Sequence, residues 1–192
     1  MDEPQQYVTK KDLSLPTTKA TLLSFVIGLP IACLLLAIYL WQWGAAHYFN
    51  NASPQLFLYS FFGIIAILII GSVVHELIHG LSWAFFAHLP LTSIKFGFQW
   101  QMLTPYVHCP EPMEVNAYRL GGSMPLIILG LLPSLIGILT GSGWSIFFGF
   151  LFTLAASGDM LVLWLIRGVR RGQLVQDHPT RVGCYLIESA QR

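Results

Sequence analysis

Three ionisable side chains, His75, Glu76 and His79, stand inside an apolar run that extends from about Leu56 to Phe86. Hydrocarbon penalises such groups heavily, so a chain that keeps them there must enclose them between helices or along a water-filled cavity. On a helix, positions i and i+4 share a face. His75 and His79 can therefore hold one metal ion while Glu76, one step around, addresses water beside it. Composition supports hydrocarbon surroundings: 55% of the 192 residues are hydrophobic and 10% are charged, against roughly 25% charged in ordinary soluble domains.

The apolar runs predict an all-α integral membrane protein, a single membrane domain over residues 1–192 with four transmembrane helices. A polar amino-terminal tail, 1–20, precedes a first span over 21–43, in which Trp41 and Trp43 suit an interfacial aromatic belt. The tail is polar and the run after it is of span length, so no secretory signal is expected. The second span, 56–86, is longer than a bilayer requires and is expected to tilt. Between it and the third span lies a segment, 88–119, in which Ile94, Phe96, Phe98 and Trp100 alternate with polar residues and glycine. That period of two predicts a strand, with Met102 to Cys109 returning as its hairpin partner. The third span, 120–140, is interrupted by Pro125, Pro133 and glycines, a pattern tolerated where neighbours satisfy the freed backbone. The fourth, 144–166, contains one acid, Asp159, and a polar tail, 167–192, closes the chain.

With four spans, all ten Lys and Arg residues fall on one side: three in the amino-terminal tail, two in the hairpin segment and five in the carboxy-terminal tail. The positive-inside rule then places both termini and the hairpin in the cytoplasm and the protein in the cytoplasmic membrane. A net charge of +1 offers nothing to nucleic acid. Cys33, Cys109 and Cys184 are odd in number, widely spaced and read as free thiols.

A catalytic zinc takes three protein ligands and leaves a position for water, so two histidines are incomplete. Spans two and four run in the same direction, and His75, His79 and Asp159 lie at similar distances from their ends. Asp159 is the first choice for the third ligand. The small residues Ala155, Ala156, Ser157 and Gly158 are expected to let span four approach span two. His108, Glu111, Asp177 and His178 fall on the same side and compete for the position, while His47 and His88 read as interfacial residues without a role. Ser157, Thr153 and Arg119 are candidates for orienting ligands or stabilising an oxyanion.

His75-Glu-Leu-Ile-His79-Gly80, then Thr104-Pro-Tyr-Val-His-Cys109, Gly158-Asp159, Asp177-His-Pro179 and Gly183-Cys184, resemble a bacterial family of membrane zincin peptidases over most of the chain from about residue 65. More distantly the pattern is similar to the site-2 protease core, in which one span carries H-E-x-x-H and the second span after it an aspartate. That resemblance implies zinc ligation by His75, His79 and Asp159, Glu76 as the base, and a hairpin between the first two core spans. Site-2 proteases resemble one another in an Asn-Pro sequence and a Leu-Asp-Gly; here the aspartate stands in Ala-Ala-Ser-Gly-Asp159-Met, with no asparagine in span four.

The expected function is zinc-dependent hydrolysis of peptide bonds within or near transmembrane segments of membrane proteins, with the lipid bilayer as surroundings. The strand around Ile94 to Trp100 could pair with an unwound substrate or rest on the bilayer surface. Two other classes fit the same residues: a metal-binding adaptor or chaperone that cleaves nothing, and a small transporter of protons or metal through the intramembrane His/Glu/Asp group. Substrate identity and oligomeric state leave no mark on the sequence.

Overall fold

A computed structural model describes residues 7–45, 54–100 and 104–189. His47 and the hairpin residues Met102 and Leu103 lie outside the described residues. The fold is mostly helical, at 65%, with two small sheets. In chain order the elements are β1 (Tyr7–Leu15), α1 (Thr17–Trp43), α2 (Pro54–Phe86), β2 (Lys95–Gln99), β3 (Thr104–His108), β4 (Met113–Glu114) and α3 (Val115–Pro125). A π-helical stretch over Leu126–Leu131 joins α3 to α4 (Leu132–Thr140), and α5 (Gly143–Ala155), α6 (Ser157–Leu165), β5 (Leu174–Asp177) and β6 (Val182–Ser189) follow.

Three helices are long and apolar enough to cross a membrane: Thr17–Trp43, Phe62–Phe86 and the combined Val115–Thr140. The pair α5 and α6 makes a fourth candidate only if its 43° bend is counted within one span. The run expected as one helix over 144–166 is therefore broken at Ala156, and Asp159 stands in the first turn of the new helix. Helix N-termini favour a carboxylate, through their unpaired amides and the aligned peptide dipoles.

Close helix packing comes from glycines. A Cβ on Gly28 of α1 would collide with Ser157 of α6, and one on Gly71 of α2 with the Phe152 ring of α5. Gly149 of α5 lies against Ser134 of α4 in the same way. The small-residue face of the fourth run thus differs from the expectation. Ser157 meets α1 rather than α2, and Gly158 faces open space. At the far end of α1, Tyr39 donates to the Gly141 carbonyl at 2.8 Å and Trp43 to the Ile138 carbonyl at 2.8 Å, tying α1 to the end of α4.

The all-α expectation fails at the termini. The residues expected as polar tails pair with each other, and an antiparallel sheet forms in the order β1-β6-β5-β4. Leu13 stands opposite Cys184, Cys184 opposite Asp177 and Val175 opposite Leu186. One face of this sheet buries Val175, Cys184 and Leu186 against Met113, Tyr118 and Ile166, so it is part of the main core. Gly183 holds φ +126 where a Cβ would strike the Leu13 carbonyl, so β1 can lie close only against glycine. The hairpin between α2 and α3 is present: β2 and β3 pair antiparallel from Lys95↔His108 to Gln99↔Thr104. His88 adopts φ 53 just past α2, and the Leu89 N–H returns to the Ala84 carbonyl at 3.0 Å. It is a helix-terminating residue in the left-handed conformation that commonly closes helices.

Candidate metal centre

His75, His79 and Trp83 follow one another at intervals of four along α2 and so share its inner face. Asp159 comes to that face from the first turn of α6, its Oδ2 3.1 Å from His75 Nε2 and its Oδ1 3.2 Å from His79 Nε2. Ligand atoms from the three residues lie within 4.8 Å of one another. Both histidines are buried, at 7% and 4% exposure.

The hydrogen bonding around this group bears on whether it suits a cation. His79 Nδ1 lies 3.0 Å from the Gly121 carbonyl, which can only accept, so Nδ1 carries the proton and neutral His79 turns an Nε2 lone pair towards Asp159. Asp159 Oδ2 is buried without a hydrogen-bond partner among the described residues, although it lies near His75. Lone pairs of imidazole and carboxylate that converge in a buried space repel unless a cation lies between them. The donor set of two imidazoles and one carboxylate, with one ring oriented by a backbone carbonyl, suits zinc.

The group sits on a cavity of about 730 Å³ whose lining includes Glu76, His79, Tyr118, Gly122 and Asp159. Glu76 points into the same space from the turn that carries the histidines. Val107, on β3, lines the same cavity as Glu76. The hairpin thus forms one wall beside the motif.

Of the other residues considered for a third ligand, none joins the group. His108 Nδ1 pairs with Asp177 Oδ2 at 2.8 Å, and Asp177 Oδ1 accepts from the Tyr118 hydroxyl at 2.9 Å. His178 Nδ1 accepts the N–H groups of Thr180 and Arg181, and its Nε2 lies 2.8 Å from the Tyr185 hydroxyl, so it stabilises the turn before β6. Glu111 is exposed and is not part of the cavity lining. Arg119 is committed elsewhere, donating to the carbonyls of Ile166 at 2.6 Å and Val169 at 2.8 Å. Ser157 is occupied in packing on Gly28, and Thr153 packs against Gly130, so neither approaches the histidines through any bond the structure shows.

Two features escape a reading of the sequence. The His79 ring stacks on Trp83 at 5.3 Å and Trp83 stacks on Tyr118 at 5.4 Å, while Trp83 Nε1 donates to the Tyr118 carbonyl at 3.2 Å. The repeat of four from His75 through Trp83 is the one signal for it. The second feature is the carbonyl of Gly121, a backbone group that no side-chain pattern reveals. A Cβ at Gly121 would collide with Trp83, so glycine lets α3 lie close enough for the bond.

No curated protein and no solved structure matches this chain. Residues 68–174 match the model of the family described as "Putative zincin peptidase". That stretch contains the motif on α2, the hairpin, α3 and Asp159. The chain belongs to this zincin peptidase family.

Proposed function

We propose that the protein is a zinc-dependent, membrane-embedded peptidase that cleaves peptide bonds within or near transmembrane segments of other membrane proteins. The observation behind this reading is the convergence of His75, His79 and Asp159 in a group that could hold a metal ion, on a cavity shared with Glu76. Membership of a zincin peptidase family supports a metallopeptidase, and three apolar helices support a membrane setting. The distribution of Lys and Arg favours the cytoplasmic membrane with both termini inside.

Zinc bound by His75, His79 and Asp159 would supply a Lewis acid that acidifies water and polarises the scissile carbonyl. Glu76 takes a proton from the attacking water as the new C–O bond forms at the carbonyl carbon. It then gives that proton to the leaving nitrogen as the C–N bond breaks, so one carboxylate serves as base and then acid. The Gly121 carbonyl holds His79 in the required tautomer, and the Trp83 and Tyr118 rings fix its plane. A substrate must unwind before cleavage because a helix hides its carbonyls in hydrogen bonds. β3, whose Val107 lines the cavity beside Glu76, is suited to hold an extended segment by strand pairing.

The test is Glu76→Gln in purified protein. Zinc should stay near one per chain, while processing of membrane substrates, read by comparing membrane proteomes of cells making wild type or variant, should fall by at least about 10²-fold. Wild-type protein without stoichiometric metal, or unchanged processing by the variant, would refute the reading and leave metal transport or a non-proteolytic adaptor.

A further inference from the structure

The cavity that holds Glu76, His79 and Asp159 also has a second polar cluster in its wall, made of His108, Asp177 and Tyr118. These come from three separated parts of the chain: β3, β5 and α3. Asp177 accepts at both oxygens, from the Tyr118 hydroxyl at 2.9 Å and from His108 Nδ1 at 2.8 Å. Its place in β5 is set by pairing with Cys184 of β6, and that of His108 in β3 by pairing with Lys95. Tyr118 in turn belongs to the ring stack that ends on His79. The two clusters are therefore built on one rigid assembly and face one cavity.

With Nδ1 held by Asp177, the ring nitrogen left to His108 is Nε2, which makes no hydrogen bond among the described residues; the side chain is 21% exposed. A histidine kept only as a core tie would not need to border the cavity. Asp177 and Tyr118 make a support whose effect is to fix the direction of that one free nitrogen.

We propose that His108 is a catalytic group of this site, donating Nε2–H to the substrate carbonyl oxygen as that oxygen gains negative charge, with Asp177 and Tyr118 as its positioning residues. The role rests on the peptidase reading and extends it. Span four has no asparagine to serve a substrate carbonyl, and Arg119 is engaged with backbone carbonyls. No atom of His108 changes its covalent bonds: the new C–O bond comes from water and the proton for the leaving nitrogen from Glu76. A hydrogen bond that strengthens only as charge develops lowers the barrier without tightening substrate binding.

The experiment uses the zinc-loaded full chain in detergent and a phosphinic tripeptide, whose two phosphinate oxygens imitate the tetrahedral intermediate. Two substitutions separate the roles. His108→Asn keeps an N–H near the Nδ1 position for Asp177 and removes the far donor; His108→Gln places an amide N–H near the Nε2 position and gives up the Asp177 bond. We expect H108N to bind the analogue about 100-fold more weakly and H108Q only about tenfold more weakly, with zinc content unchanged in both. A purely structural role reverses that order and overturns the proposal. Should H108N fail to fold, Asp177→Asn decides: tenfold weaker binding at full zinc supports the role, and affinity within threefold of wild type overturns it. Wild-type protein that holds zinc and ignores the analogue overturns the peptidase reading as well, whereas wild-type binding retained by H108N overturns His108 alone.

Discussion

His79 donates its Nδ1–H to the backbone carbonyl of Gly121 over 3.0 Å, and this bond between α2 and α3 determines which ring nitrogen faces Asp159. Gly121 can provide it only because it has no side chain: a Cβ there would meet Trp83. Gly121→Ala should therefore push α3 away and misalign His79. Zinc affinity, measured by competition with a chromophoric chelator, should drop about 10- to 100-fold, the usual loss when an outer partner of a ligand is removed. Unchanged affinity would show that the bond is incidental.

Asp159→Asn keeps the shape of the third ligand and removes its charge. Two neutral imidazoles and an amide bind zinc poorly, so purified D159N should lose most of its metal while wild type and Glu76→Gln retain theirs. Metal analysis after gel filtration reads the difference. Equal zinc in D159N and wild type would exclude Asp159 as a ligand and reopen the position.

Gly28 and Gly63 make a matched pair for the packing argument. A Cβ on Gly28 collides with Ser157, two residues before Asp159, whereas a Cβ on Gly63 meets nothing within 4 Å. Gly28→Ala should destabilise the protein by about 1 to 3 kcal/mol through overpacking. Gly63→Ala should stay within about 0.5 kcal/mol of wild type. Thermal unfolding in detergent compares them, and G28A should also weaken zinc binding because α6 carries Asp159.

Cys184 in β6 is fully buried, and burial pushes its thiol up to about 12. The folded state therefore keeps a proton that the unfolded chain releases near pH 9. The stabilisation from this thiol is complete below about pH 9 and is lost as pH rises from there towards 12. Native protein should resist alkylation of Cys184 at pH 8 to 9 and react only on unfolding, as peptide mapping by mass spectrometry would show. Cys184→Ser should reduce the alkaline loss of stability. Rapid labelling of Cys184 in the native state would contradict its place in the core.

Local patterns account for much of what the sequence revealed. An apolar run long enough for a span, an i, i+4 histidine pair and a two-residue alternation over Ile94 to Trp100 each depend on neighbours within one element. The helices and the β2–β3 hairpin were legible for that reason. The terminal sheet was not, because its pairing joins Tyr7 with Ser189 and depends on contacts almost a chain length apart. The break at Ala156 was equally hidden: nothing in Ala155-Ala-Ser-Gly marks a bend, since those residues are also good close-packing residues within a continuous span. Of the small-residue face only Ser157 is seen in close helix packing, against α1 instead of α2, while Gly158 faces open space.

The sequence by itself determined that His75, Glu76 and His79 share one turn of an apolar helix, because the 3.6-residue period and the price of charge in hydrocarbon leave little choice. It also singled out Asp159, the lone acid in its run. Tertiary structure alone decided what surrounds them. It set the His79 tautomer through a backbone carbonyl, stacked Trp83 and Tyr118 behind the ring, and brought His108 and Asp177 to the same cavity. Each of these depends on the distance between elements remote in sequence, and such distances follow from how helices and strands pack, which no local pattern encodes.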